Sequence, residues 1–489
     1  MNGEQVARAS GVGFRSERGP VLIGVMLSTA VVAIDATVIA TAVPSVVADL
    51  GGFAEFPWLF SVYLLAQAVT VPVYGKLADV FGRKPVMLFG IGLFLLGSVL
   101  CGLAWDMGAL IAFRAVQGLG AGAVQPMSMT IVGDLYSLEE RAKVQGYIAS
   151  VWGISSVVGP TLGGVFSEYV SWRWIFFVNV PLCLVAAAMI GLRFAERVDR
   201  RRPQIDYAGA GVLTVALTLL VLGLLEGGQA WAWASPAGVA VLGGGVVLLA
   251  VFVAIERKAA DPVVPLRLLR SRLLVATSLV SACVGAVLLG LTSYVPTFVQ
   301  DVLGTGPLVA GFALAALTLG WPLSASQAGR LYLRIGIRST ALVGVVVVLL
   351  GSALLLLLDG SSSVLMVGGT AFVIGLGMGF TAAPTLIAAQ SAVAWTERGV
   401  VTGLNMFARS AGSAVGIAVF GAVVNATLRG QEVGSDGVSP AALTTAVHHV
   451  FEGTVLLAVA LLAAVLLMPR DRRRAQAPAE QPTGEVAAR

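Results

Sequence analysis

The chain has 489 residues, 57% of them hydrophobic and 12% charged, with a mean hydropathy of +0.90. A soluble domain carries about 25% charged residues, so this composition excludes a water-soluble globular protein and indicates a multi-span membrane protein, at about 20 apolar residues per helix. A net charge of +5 would suggest nucleic acid in a soluble chain, but here the bases sit in short loops between apolar runs, as membrane topology requires, and no nucleic-acid partner is expected.

Residues 1–19 are polar and carry Arg8, Arg15 and Arg18. The apolar run that follows is too long for a signal peptide and has no small-residue cleavage site, so it reads as a retained first helix. Fourteen spans are predicted: 20–44, 57–75, 85–104, 107–130, 143–168, 173–194, 207–226, 236–256, 273–300, 307–329, 339–358, 363–389, 400–428 and 449–468. Most of the 31 Lys and Arg then fall in alternate loops and both tails, which places both termini on the cytoplasmic side. Arg173 and Arg429 fall in external loops, and Arg114 and Arg409 inside spans. Trp58, Trp105, Trp172, Trp174, Trp231 and Trp233 gather near external ends, as an interfacial belt does. Cys101, Cys183 and Cys283 lie in apolar runs and imply neither a disulfide framework nor a metal site.

In the first span, Asp35 is the most costly residue of the chain. A carboxylate in mid-helix costs about 2.5–3.5 kcal/mol on insertion scales and marks function. Pro44 is expected to end or kink this helix near the outer face, which puts Asp35 roughly 13 Å below that end.

Between spans two and three lies Gly75-Lys-Leu-Ala-Asp-Val-Phe-Gly-Arg-Lys84. It reads as a short loop turning tightly at one bilayer face. Gly75 and Gly82 permit unusual backbone geometry, and Lys76, Arg83 and Lys84 favour the cytoplasmic side. Asp79 pairs locally or caps a helix start. This segment closely resembles the loop between helices two and three that marks the major facilitator superfamily of transporters. Val80 stands where that family usually carries a base, which weakens the charge network the resemblance implies. Gly329-Arg-Leu-Tyr-Leu-Arg-Ile-Gly-Ile-Arg338 echoes the segment without its acid, as expected of a repeat-built transporter. The setting of Asp35, Ile34-Asp-Ala-Thr-Val-Ile-Ala-Thr-Ala-Val-Pro44, resembles the first-helix motif of the fourteen-helix drug:proton antiporter branch.

Arg114 lies roughly 10 Å into span four, at a depth similar to that of Asp35, and opposite charges at one depth are expected to pair. The run Leu110-x3-Arg114-x2-Gln117-Gly-x-Gly120-x-Gly122 resembles the family's fourth-helix motif, whose arginine is implicated in proton transfer. An opposite charge favours the ionised form of a carboxyl, and burial without it favours the neutral form. A conformational change that makes and breaks the contact would therefore load and release a proton. An arginine that only anchors packing is the competing reading.

Span five carries Gly146-x8-Ser155-x3-Gly159-Pro160-x2-Gly163-Gly164, in which Ser155, Gly159 and Gly163 form one small-residue ridge and Pro160 adds a bend. The spacing resembles the antiporter-specific fifth-helix motif, with Ser155 where glycine is usual, and implies export rather than uptake. Trp172-Arg-Trp-Ile-Phe-Phe-Val-Asn-Val-Pro181 reads as an interfacial anchor. Gln117, Gln125, Tyr294, Phe298, Asn405 and Arg409 are candidates for a substrate cavity, as are Gln327 and Gln390. Arg409 either lines that cavity or pairs with a helix end. Glu168 and Glu226 are expected to be wetted at external span ends. His448 and His449 are expected in an exposed loop.

The expected architecture is all-α: an N-terminal tail (1–19), a six-helix bundle (20–194), a linker with two additional helices (195–272), a second six-helix bundle (273–468) and a disordered cytoplasmic tail (469–489). The resemblance implies a monomeric, proton-driven antiporter in the cytoplasmic membrane that exports lipophilic drugs, dyes or antibiotics by alternating access. The alternative is a dedicated exporter of one metabolite, lipid or self-made antibiotic. Neutral or monocationic compounds fit the single embedded acid better than dications. No phosphate-binding Gly-x4-Gly-Lys-Ser/Thr loop is present, so the proton gradient, with no cofactor, is the expected energy source. A membrane enzyme or receptor would need convergent His, Cys or Ser groups, which the sequence does not offer.

Overall fold

The structure is a computed structural model that describes residues 12–51, 55, 58–196, 206–227, 231–259, 262–428 and 440–470. The two tails and the basic stretch Arg193–Arg202 lie partly outside these residues, and Arg429 lies wholly outside them. Fourteen helices are long and apolar enough to cross a membrane. They are α1 (Gly19–Leu50), α2 (Trp58–Phe81), α3 (Arg83–Gly102), α4 (Met107–Leu135), α5 (Leu138–Tyr169), α6 (Trp174–Arg193), α7 (Tyr207–Glu226), α8 (Pro236–Glu256), α9 (Arg272–Thr297), α10 (Pro307–Ile335), α11 (Ile337–Leu355), α12 (Val364–Ser391), α13 (Arg398–Leu428) and α14 (Pro440–Leu467). No strand occurs among the described residues.

Polar side chains cap several helix starts, and in α5 the cap carries the helix ahead of its apolar stretch. Ser137 and Glu140 form a capping box that starts α5 before its hydrophobic part, which satisfies two orphan N–H groups. Asp106 accepts from the Ala109 amide at 2.7 Å, and Ser235, Ser271 and Ser363 begin α8, α9 and α12 in the same way. The helix predicted to stop near Pro44 continues to Leu50. α14 begins at Pro440, so His448 and His449 lie within a helix rather than in a loop. Nε2 of His448 contacts the Leu358 carbonyl, and Nδ1 of His449 is 2.9 Å from the Thr427 hydroxyl.

The segment read as a loop between spans two and three is almost entirely helical. α2 runs to Phe81, Gly82 alone breaks it with φ 98°, and α3 begins at Arg83. The echo is structural as well. Gly336, with φ 88°, separates α10 from α11 in the same way. A side chain at either position would be strained.

The apolar cores fall into separate sets. Two are built from residues between Val21 and Phe194, and one from residues between Ala276 and Met468. α7 and α8 pack on each other, and α7 also rests on α2 and α13, where Leu213 and Leu217 meet Val69 in a small cluster joined by Leu404 and Phe407. Glu226 is buried, 9% exposed, at the end of α7, where the Ser61 side chain hydrogen-bonds it; the expectation of a wetted carboxylate fails there. Glu168 is exposed as expected.

Candidate functional site

Asp35 of α1 and Arg114 of α4 meet in the core, with Nη1 2.6 Å from Oδ2 and both side chains 1% exposed. Nε2 of Gln117, one helical turn after Arg114, donates to Oδ1 of Asp35 at 2.8 Å. Arg114 also donates to Gln117 Oε1 at 2.8 Å and to the Leu59 carbonyl at 3.2 Å. Its guanidinium carbon lies 4.1 Å from the Tyr63 ring centroid, a stacked geometry favourable to a desolvated cation. Nδ2 of Asn179 on α6 completes the group, 3.5 Å from Asp35 Oδ1 and 2.9 Å from the Ser98 hydroxyl. Five helices thus hold one buried ion pair whose hydrogen-bonding capacity is largely filled. A buried pair is tolerated only on that condition.

The glycines of α4 explain how it approaches its neighbours. A Cβ at Gly118 would meet the Tyr63 carbonyl at 2.5 Å. At Gly120 it would strike the backbone of Phe94, and at Gly122 the Thr70 hydroxyl. The alternating small positions let α4 press on α2 with one face and α3 with another. The ridge of α5 serves α1 in the same way: Cβ atoms at Gly159 and Gly163 would collide with the hydroxyls of Thr37 and Thr41, and Thr37 donates to the Ser155 carbonyl at 3.1 Å. Gly146 faces Ser326 of α10, whereas nothing lies within 4 Å of a Cβ at Gly164. Pro160 lies within α5, which runs unbroken from Leu138 to Tyr169.

A second polar group ties the two sets of cores together at the Gly82 end. Asp79 binds Arg83 at 2.8 Å and accepts from the amides of Gly399 and Val400 at 3.0 and 2.8 Å. The two alternatives read for it, local pairing and helix capping, occur together here, and the helix it caps, α13, lies in the other half. Arg83 is fully buried. It donates to Asp134 at 3.0 Å and to the Trp395 carbonyl at 2.7 Å, and its guanidinium carbon lies 3.8 Å from the Trp395 ring centroid. Arg398 returns the contact to Asp134 at 3.0 Å. Gln390, from α12, donates to Thr402 at 2.9 Å and to the Met129 carbonyl at 3.4 Å, so it seals this end rather than lining a path. Lys84 takes part through its backbone: Glu196 accepts from the amides of Arg83 and Lys84, both at 2.9 Å.

A cavity of about 260 Å³ lies between the halves. Of the expected lining residues, Gln125 and Arg409 face it, with Trp152, Trp321, Gln145 and Met406 among the other walls. Gln117 belongs to the ion-pair group instead. Asn405 is spent on α9, donating to the Thr277 carbonyl at 3.1 Å and accepting from Ser281 at 2.6 Å. Phe298 is packed against Phe451 in the apolar core, and Tyr294 against Phe420. Gln327 borders a separate hollow between α5 and α10.

Asn179, Tyr63, Asp134, Glu196 and Arg398 escape the sequence reading. Asn179 sits in the aromatic stretch read as an anchor. Trp172 and Arg173 bind Asp49 at 3.1 and 2.5 Å, while Asn179, seven residues after Trp172, is turned into the core.

The sequence profile of the Major Facilitator Superfamily matches residues 25–417. The chain belongs to the major facilitator superfamily. It is therefore a multi-pass membrane transporter of small molecules and not an enzyme. Multidrug resistance protein 3 of Bacillus subtilis (strain 168) is 35% identical over 406 residues, covering 82% of this chain and 79% of that relative. The multidrug transporter protein MdtP of the same strain is 33% identical over 414 residues, 85% and 76% of the two chains. Efflux pump dotC of Dothistroma septosporum is 32% identical over 407 residues, 81% and 69%. The crystal structure of the human organic anion transporter MFSD10 has the same major facilitator fold, with a TM-score of 0.65 at 16% identity over 93% of this chain and 99% of that one.

Proposed function

We propose that the chain is a proton-coupled antiporter that exports lipophilic compounds by alternating access, as a monomer in the cytoplasmic membrane with both termini and the Gly82 end facing the cytoplasm. The relatives named for multidrug resistance and efflux support export, and the distribution of Lys and Arg supports the orientation. The helices would work as two six-helix bundles (20–194 and 273–468) joined by a linker with two further helices (195–272).

The observation that carries proton coupling is the sealed Asp35–Arg114 pair. A proton on Asp35 Oδ2 and the guanidinium of Arg114 compete for one negative charge. When the proton binds, Arg114 loses its partner and turns to the acceptors already beside it, the Gln117 amide oxygen and the Leu59 carbonyl. Those acceptors lie on α4 and α2, so the protonation state of α1 becomes a contact difference among three helices. Such a difference is what biases a two-state equilibrium. The group at the Gly82 end supplies the two-state element: Asp79, Arg83, Asp134 and Arg398 hold α2, α3, α4 and α13 together, and the cavity opens to the cytoplasm when they part. Each inward proton contributes about 2.3 kcal/mol per 100 mV, plus the pH term.

An uncoupler added to energised cells tests the energy source. Efflux stops while ATP is held constant; efflux that continues points to another source of energy.

A further inference from the structure

Two arginines lie deep in membrane-spanning helices, and their surroundings are opposite. Arg114 has a carboxylate, an amide, a carbonyl and an aromatic face. Arg409, eleven residues into α13 and so roughly 16 Å along it, has a buried Nε with no hydrogen-bond partner. No carboxylate among the described residues pairs with it. Its guanidinium carbon stands 5.7 Å from the Trp321 ring centroid, and both side chains line the central cavity.

The rest of that lining is uncharged. Its polar members are glutamines, threonines and tryptophans, and no acid is among them. Asp35 offers no alternative site for a cation, since it is 1% exposed and its oxygens are taken by Arg114, Gln117 and Asn179. Arginine keeps its charge in a protein. An isolated charge in a low-dielectric site is costly and persists where function uses it. A bound carboxylate or sulfonate would offset that cost through the planar fork of the guanidinium, whereas a cationic ligand would meet repulsion. Trp152, Leu317 and Met406 supply apolar walls for the remainder of the ligand.

We propose that the central cavity takes amphipathic monoanions, an apolar or aromatic body bearing one carboxylate or sulfonate, with the acid group seated on Arg409. The sign of the preferred charge is thereby opposite to the one expected from the embedded carboxylate. The direction of transport rests on the exporter reading above; the binding preference does not. If one proton enters for each anion that leaves, two elementary charges cross per cycle, against one for a neutral compound and none for a monocation.

The test uses three probes of similar bulk on the purified full-length protein: anilinonaphthalenesulfonate, its uncharged parent phenylnaphthylamine, and the cation tetraphenylphosphonium. Calorimetric titration should show the sulfonate binding about tenfold more tightly than its parent, a difference near 1.4 kcal/mol. Arg409→Gln should remove that margin and Arg409→Lys should keep part of it. Equal binding of the sulfonate and its parent, tighter binding of tetraphenylphosphonium, or a margin that survives Arg409→Gln overturns the assignment. The wild-type comparison and the lysine variant decide the matter even where the glutamine variant does not fold. Gradient-driven movement of tetraphenylphosphonium in inverted vesicles, without any preference for the sulfonate, would overturn the anion site and leave the exporter reading standing. Preferred binding of the sulfonate with no gradient-driven movement of any probe would do the reverse.

Discussion

Asp79 and Val400 join the two halves of the molecule: the carboxylate of one accepts the backbone amide of the other at 2.8 Å, with Gly399 donating to the second oxygen at 3.0 Å. The first N–H groups of a long helix have no partner within it, and an acid at that end also opposes the helix dipole. Asp79 on α2 thus caps α13, and Arg83 holds it in place at 2.8 Å. Val80, half-buried beside it, cannot contribute to this network, and Arg83 and Arg398 carry the positive charge instead.

Asp79→Asn keeps the size of the side chain but turns one acceptor into a donor aimed at an amide. The loss of charge-assisted bonds should weaken the closed Gly82 end by about 1–3 kcal/mol. Spin labels at Phe81 and Ala394, both exposed, should report a new population at longer distance. An unchanged distance distribution would make Asp79 a local structural residue.

Much of this was legible in the sequence, for reasons that differ by residue. The spans follow from the cost of exposing polar groups to lipid, so hydropathy alone finds fourteen. Asp35 and Arg114 stand out because a charge in an apolar run has no inexpensive explanation. The start of α5 was missed because its capping residues, Ser137 and Glu140, are polar and resemble loop. Asn179 and Tyr63 gave no signal, since a neutral polar side chain in a membrane helix is common and only packing shows which way it points. Phe298 and Asn405 were misplaced for the same reason: their positions suit a cavity or a core equally well, and contacts with α14 and α9 decide.

Arg114→Ala leaves Asp35 buried without its counter-charge, and breaking such a pair costs about 3–5 kcal/mol. Transport should be lost and the thermal midpoint lowered. Arg114→Lys keeps the charge but cannot reach Asp35, Gln117 and Leu59 together, so it should retain part of both properties. Gradient-driven efflux and melting measured on the same preparations check this, and indifference to both changes would reduce Arg114 to packing.

Gly159 and Gly164 lie in one motif but should respond differently. A larger side chain at Gly159 collides with Thr37 beside Asp35, while a Cβ at Gly164 meets nothing within 4 Å. Gly159→Val should cost about 1–3 kcal/mol through overpacking and abolish efflux. Gly164→Ala should be neutral. Equal sensitivity at the two positions would remove close α1–α5 contact as the explanation of the motif.

Asn179→Ala removes a donor to Ser98 and a long contact to Asp35. Stability should fall by about 1 kcal/mol, and gradient-driven efflux should fall with it because the helices around the Asp35–Arg114 pair lose a brace. An unchanged melting temperature would show that Asn179 does not brace α3 against α6.

The most direct measurement follows protons and exported compound together in liposomes holding the full-length protein, with wild type beside Asp35→Asn. In the wild type, adding the compound should release protons in fixed ratio to its movement. Asp35→Asn, verified as folded by its melting curve, should release none. Protons that still move in step with the compound in that variant would show that Asp35 does not carry them.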